Sequence, residues 1–216
     1  MTKDNPEKTR LDIERLQVLV DLALVNAPEE LIYDRFTQLA SKILGAPVSL
    51  LSMVAADYQF FKSQVGLPEP WKSQRRTPLS HSFCQHVVAT QKPLVIEDAR
   101  EHDLVKDNLA IRDLGVIGYL GMPMILSDGK PFGSFCAIHS EPHEWEHIEI
   151  DIIQELSELV TLEFDMRALV HNRPEKQDQL ITLQETLLQI LDDIEAITDK
   201  EDFLAKLREA RRQYQV

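Results

Sequence analysis

Val116-Ile-Gly-Tyr-Leu-Gly-Met-Pro-Met-Ile-Leu126, then Ser127-Asp-Gly129, then Pro131-Phe-Gly-Ser-Phe-Cys-Ala-Ile-His139 is the stretch that decides the fold. Two apolar runs of strand length flank an Asp-Gly turn, the strongest short-range signal for a β-hairpin. Alternation along the returning strand predicts Phe132, Ser134, Cys136 and Ile138 on one face. Gly133, Phe135, Ala137 and His139 then share the other.

Working outward, Pro47-Val-Ser-Leu-Leu-Ser-Met-Val54 is also extended, with Val48, Leu50, Ser52 and Val54 on one side and Ser49, Leu51 and Met53 on the other. Ala55-Ala56-Asp57 returns the chain into Tyr58–Val65, which Gly66 and Leu67-Pro-Glu-Pro70 end. Pro93-Leu-Val-Ile96 is a further short strand. Helical spacing marks residues 9–25, with Leu16, Leu19, Val20 and Ala23 inward and Glu14, Arg15 and Asp21 wet. It marks 28–44 through Ile32, Phe36, Leu39 and Ile43, closed by Gly45 in a left-handed stop. A third helix, 81–90, is expected to be capped by Ser80 and to bury Phe83, Cys84, Val87 and Val88. The charged segment 101–114 reads as a loop with a helical turn or two. Residues 144–169 form one long helix with two apolar tracks, Ile148/Ile152/Leu156/Leu159 and Ile153/Val160/Phe164. Antiparallel strands with helices before, between and after them predict an α+β sandwich, not a regular βαβ nucleotide-binding fold.

His171-Asn-Arg-Pro174 divides the chain into a domain at 10–169 and a C-terminal helical extension at 174–214. Leu180, Leu183, Leu187, Ile190, Ile194 and Ile197 follow a three-four repeat, the seam spacing of packed helices. Ile181, Leu188 and Leu191 widen that face, so a bundle or folded-back hairpin competes with a two-stranded coiled coil. Thr198-Asp-Lys-Glu201 reads as a capping box that restarts a last helix to about residue 213.

The 36 acidic residues against 23 Lys and Arg give a net charge of −13, a field that repels nucleic acid. Lys72, Arg75 and Arg76, the nearest thing to a basic patch, read as a solvated loop. The polar start and the lack of a long apolar run predict neither signal peptide nor membrane span, and a cytoplasmic location. Two cysteines, Cys84 and Cys136, in apolar contexts are expected to be buried, reduced thiols.

Four segments in order, Leu50–Leu67, Ser80-His-Ser-Phe-Cys-Gln-His-Val88, Pro93-Leu-Val-Ile-Glu-Asp-Ala-Arg100 and Gly121-Met-Pro-Met through Ile138, resemble bacterial GAF domains of the sort found with histidine kinases, diguanylate cyclases and phosphatases. The resemblance covers roughly residues 10–169 and implies an antiparallel sheet of five or six strands. The first and last domain helices would pack on one face, and segments 66–92 and 97–115 would surround a pocket on the other. Relatives place cyclic nucleotides, tetrapyrroles, metabolites or gas-sensing cofactors there, and some bind nothing; the fold supplies a site without naming an occupant. Phe61, Cys84, His102, Asp103, Tyr119, Met122 and His139 are the pocket-wall candidates, and His139 stands where close relatives carry aspartate.

Covalent tetrapyrrole attachment is not expected, because Cys84-Gln85-His86 lacks the Cys-His pair it would use. No metal is expected: His81-x-x-Cys84 and Cys136-x-x-His139 look like four ligands, but residues three apart on a strand face opposite ways. A thiol-dependent reductase would need a further cysteine in segment 97–115, which has none. Phe61 and Lys62 either seal the sheet with the lysine tip wet or both reach a ligand, and His102, Asp103, Asp107 and Asp113 read as a solvated cap. The expected function is non-enzymatic: a signal-transduction module coupling a small ligand or partner to the arrangement of helices in a homodimer built from 9–25, 144–169 and 174–197. A downstream signalling protein or a C-terminal effector would receive that signal. The alternative is a ligand-free dimerisation or interaction module.

Overall fold

The computed structural model describes the backbone of residues 6–213 and the side chains of residues 12–213. In chain order the elements are helices α1 (Pro6–Asp21) and α2 (Leu31–Leu44), strands β1 (Val48–Val54) and β2 (Tyr58–Val65), and short helix α3 (Trp71–Gln74). Strand β3 (Arg76–Pro78), helix α4 (Cys84–Thr90), strand β4 (Leu94–Ile96) and helix α5 (Leu109–Leu114) follow. The hairpin β5 (Gly118–Ile125) and β6 (Pro131–His139) leads into α6 (His147–Asn172), α7 (Gln177–Ile194) and α8 (Lys200–Arg212). The six strands form one antiparallel sheet in the order β3-β2-β1-β6-β5-β4.

Strand alternation sends side chains into two separate cores. Leu51, Met53, Leu120, Met124, Phe135 and Ala137 meet the layer of α1, α2, α6, α7 and α8. Leu50, Val54, Phe61, Tyr119, Cys136 and Ile138 meet α4, α5 and the loops around them. Two bulges break the alternation. Leu51 pairs with Ser63 but Ser52 pairs with Phe61, so Lys62 is an extra residue, and it and Ser63 both face the helices, Ser63 against Thr37 of α2. Met124 pairs with Gly133 but Ile125 with Pro131, so Phe132 is extra and packs edge-on against Phe164, opposite to the expected face.

The tip of Lys62 is therefore not wet, and it does not share the face of Phe61. It is 1% exposed, 5.3 Å from the Tyr33 ring centroid, and ion-paired to Glu30. Arg15 is likewise buried, its guanidinium donating to the Val54 carbonyl, while Val20 is 67% exposed. Helix α1 stops at Asp21, and Ala23 takes a left-handed φ of 49°. Arg75, expected in a solvated loop, donates to the carbonyls of Ala27 and Lys62 and lies over Phe60, and the neighbouring residues 76–78 form the edge strand β3. The 81–90 helix starts later than expected: Leu79–His81 is a 3-10 turn, and Ser82, not Ser80, accepts from the Gln85 N–H.

The C-terminal extension folds back on the domain, and its side chains join the same core as α2 and α6. In α7 the buried positions are Leu180, Leu183, Leu187, Leu191 and Ile194. Their final steps of four, four and three follow a straight helix on a globular surface, whereas a coiled-coil seam alternates three and four. The apolar seam expected to serve a second copy is spent within the chain. Asp199, not Thr198, caps α8, accepting from the N–H groups of Glu201 and Asp202. Phe203, Leu204, Leu207 and Ala210 anchor α8. Around them Lys200 reaches Glu146 and Glu149, Arg208 reaches Asp151 and Glu155, and Arg211 reaches Glu155 and Glu158 on or beside α6. Position 214, the expected end of the extension, lies outside the described residues. No helix among the described residues is long and apolar enough to cross a membrane.

Candidate functional site

The sheet face under α4 and α5 holds a cavity lined by Leu50, Phe61, Leu67, Phe83, Tyr119 and Ile138, with Gln59, His81 and Cys84 as polar members. Its volume is about 20 Å³. That is room for about one water.

The polar groups are held by one another. Gln59, on β2, accepts from the hydroxyls of Ser52 and Ser82 and donates to Thr77 Oγ1 and the His81 carbonyl. His81 Nε2 lies 3.0 Å from Asp113 Oδ2, and Nδ1 lies 3.0 Å from Ser80 Oγ. The Arg112 guanidinium first, and His81 second, hold the Asp113 carboxyl down at about 2. That pair ties α5 to the turn before α4, and Asn108 adds a second tie by donating to the Ser82 carbonyl.

On the floor, the Tyr119 hydroxyl donates to Cys84 Sγ at 3.3 Å and its ring packs 5.3 Å from Phe83. Cys84 Sγ is 3.9 Å from Cys136 Sγ, and both residues are buried. The hydrogen bond from Cys136, then that from Tyr119, holds the Cys84 thiol down at about 7 despite its burial. Burial pushes the Cys136 thiol up.

Of the seven pocket-wall candidates, Phe61, Cys84 and Tyr119 line the cavity. Met122 faces the helical core on the other side of the sheet, because Tyr119 faces the cavity and three residues on a strand reverse the side. His102 and Asp103 lie on a surface turn, where His102 Nδ1 accepts from the Leu104 N–H and Asp103 pairs with Lys106 at 2.7 Å. His139 also lies away from the cavity, stacked on His143 at 4.0 Å and against Trp145 at 5.4 Å. Gln59 and His81 also line the cavity and are absent from the pocket-wall candidates; for Gln59 the signal is a polar residue sharing a strand face with Phe61. Among the described residues no group of three or more His, Cys, Asp and Glu side chains is placed to hold a metal ion.

The His139 cluster has a consequence for stability. Burial, then the neighbouring His143, lowers the His139 pKa, so the unfolded chain binds its proton at higher pH than the folded one. Stability from neutral His139 is thus complete above the ordinary imidazole value of about 6.5 and is lost as pH falls from there towards the lower folded value. Glu149, which faces His143 and Lys200, is held below the usual carboxylate range and acts only at more acid pH. Replacing His139 by Gln is expected to flatten the fall in urea midpoint between pH 7.5 and 5.5. An unchanged slope would mean that His139 does not contribute to it.

Known proteins resemble part of this chain. It is 26% identical over 128 residues to a cyclic di-GMP phosphodiesterase of Pseudomonas aeruginosa, covering 58% of this chain and 21% of that protein. It is 32% identical over 75 residues to the diguanylate cyclase DgcP of Escherichia coli, covering 35% of this chain and 22% of that protein. These matches span about a fifth of each curated relative's length. Among solved structures, the GAF domain/HD domain protein of Geobacter sulfurreducens superposes with a TM-score of 0.52 at 16% identity, covering 64% of this chain and 92% of that one. GAF3 of Slr1393 from Synechocystis gives 0.52 at 15%, covering 65% and 96%. Both likenesses concern the fold alone. The GAF domain family itself matches residues 28–164, which run from the entry to α2 through most of α6 and include every strand and the whole cavity, and this chain belongs to that family.

Proposed function

We propose that this GAF domain is a regulatory module of a signalling protein, in which binding of a small ligand or a partner over the α4–α5 face biases the docking of the α7–α8 hairpin. One observation carries the reading. Phe61 lines the cavity, and the next residue, Lys62, lies by strand alternation in a buried network on the opposite face. That network continues from Glu30 through Arg167 and Glu163 to Gln184 on α7. A shift of β2 at the cavity therefore has a short physical route to α7. A ligand moves such an equilibrium only by as much as it binds the two states unequally.

The curated relatives are named a cyclic di-GMP phosphodiesterase and a diguanylate cyclase, and a regulatory role beside such an output suits a match of this extent. The homodimer enters the proposal in narrower form. Ile13 and Val20 on α1 are 63% and 67% exposed, and with Leu31 at 66% they are the most exposed large apolar side chains among the described residues, available to a second copy.

A second reading, a ligand-free interaction module, is favoured by the cavity volume of about 20 Å³. Small-molecule sites usually enclose about 300–1,000 Å³. Native mass spectrometry of the purified chain separates the two. A reproducible retained mass supports the ligand-binding form. A clean protein whose α8 exchange does not respond to any candidate ligand supports the other.

The docking premise has its own test. Leu207→Ala removes a buried anchor of α8, an effect of about 2–5 kcal/mol for a core leucine. Hydrogen exchange is expected to accelerate at least about 30-fold across residues 200–212 while β5 and β6 keep their protection. Equal acceleration in the sheet would mean that α8 is part of one cooperative unit and cannot act as a switch.

A further inference from the structure

We propose that Cys84 and Cys136 are a redox-modification site that closes to a disulfide when the protein meets a small hydroperoxide, independently of any ligand or partner at the cavity. The two thiols come from different elements, α4 and β6, 52 residues apart in sequence, and their sulfurs are 3.9 Å apart. A disulfide needs about 2.0 Å, so closure asks roughly 1 Å of movement from each sulfur. Buried cysteines are ordinarily inert. Here one thiol lies against another and also borders a cavity of water-molecule size, the scale of the reacting end of a hydroperoxide.

The surroundings assign the two roles. Cys84 borders the cavity and accepts the Tyr119 hydroxyl, which favours its thiolate. The hydrogen bonds from Cys136 and Tyr119 draw the Cys84 thiol towards its thiolate, whereas the Cys136 thiol is held up by burial and keeps its proton. Cys84 thiolate attacks the terminal peroxide oxygen; the O–O bond breaks, the alkoxide leaves and takes up a proton as alcohol, and Cys84 becomes a sulfenic acid. The Cys136 sulfur then attacks Cys84 sulfur, the S–O bond breaks, and hydroxide departs with the Cys136 proton as water. Two thiols lose two electrons and the hydroperoxide gains them. A dithiol reductant reverses the bond by exchange.

The bond would draw α4 onto β6, whose neighbouring Phe135 and Ala137 support the helical core. The test treats the reduced full chain with hydrogen peroxide under native conditions, then denatures it in an alkylating agent and maps the peptides. The expected result is a monomer lighter by two hydrogen masses, with a cross-linked peptide pair containing Cys84 and Cys136 that dithiothreitol separates. In Cys136→Ser the bond cannot form, and Cys84 sulfenic acid is expected to be trapped by dimedone. Should that variant not fold, the wild-type map still decides. Both cysteines remaining fully alkylated after peroxide, oxygen added to Cys84 without a cross-link, or disulfides only between chains would each overturn the proposal.

Discussion

Gly66→Ala is expected to destabilise the domain by about 3 kcal/mol or more, lowering the urea midpoint by about 1 M or more. Gly66 ends β2 at φ +81°, and a Cβ built there would sit 1.9 Å from the Pro47 carbonyl oxygen at the entry to β1. Left-handed backbone alone costs an alanine roughly 1–2 kcal/mol. The rest comes from the clash, which no rotamer can relieve because the obstacle is backbone. Ser49 pairs with Val65 one residue away, so the displacement runs straight into the β1–β2 ladder. Gly45→Ala is the control: its φ is +62°, but its Cβ meets nothing within 4 Å, so only the conformational cost applies. Denaturation of the two variants side by side checks the argument. Equal losses would mean that the contact with Pro47 relaxes freely and the clash contributes nothing.

The strands were legible because their inward residues alternate, and that alternation survives wherever register is unbroken. Leu50 and Leu51 go to opposite cores as their neighbours predict. Legibility fails at Ser63 and Phe132, where a bulge inserts one residue and reverses the side; nothing in either side chain announces this, since the bulge belongs to the pairing of two strands. Arg15 reads as wet because its charge outweighs its position in a local pattern, yet the acceptor it fills, the Val54 carbonyl, is supplied 39 residues away. The site shows the same division. Phe61, Cys84 and Tyr119 were found from face and family order, whereas the contact of Cys84 with Cys136 depends on how closely α4 sits on β6, a tertiary distance that spacing does not encode. For α7, the three-four repeat of Leu180 to Ile197 and the four-four-three steps actually buried share most of their residues. A wide apolar face leaves the choice between a partner chain and the chain's own α2 and α6 to the rest of the fold.

Arg167→Ala is expected to cost about 3–5 kcal/mol, because it strands a carboxylate rather than merely deleting a contact. Glu163 is 0% exposed. Its Oε2 accepts from the Tyr33 hydroxyl at 2.6 Å, and Oε1 accepts from Arg167 Nε at 2.7 Å and Gln184 Nε2 at 2.5 Å. Arg167 also reaches Glu30, but Lys62 would still neutralise that group. Glu163 alone is left with two neutral donors and no cation. Adding Glu163→Gln to Arg167→Ala is therefore expected to recover most of the loss, since a neutral amide no longer needs the charge, and a double-mutant cycle by urea denaturation measures that coupling. The same variants probe transmission. If the network holds α7 against α6 and α2, Arg167→Ala should speed hydrogen exchange in the first half of α7, around Gln184, more than in β6 or α4. Lying between two sites is not evidence of coupling; a shared change in equilibrium is. A cycle with coupling near zero, or exchange that rises evenly over the whole domain, would leave the network a support of the core and remove it as the route from the cavity face to the hairpin.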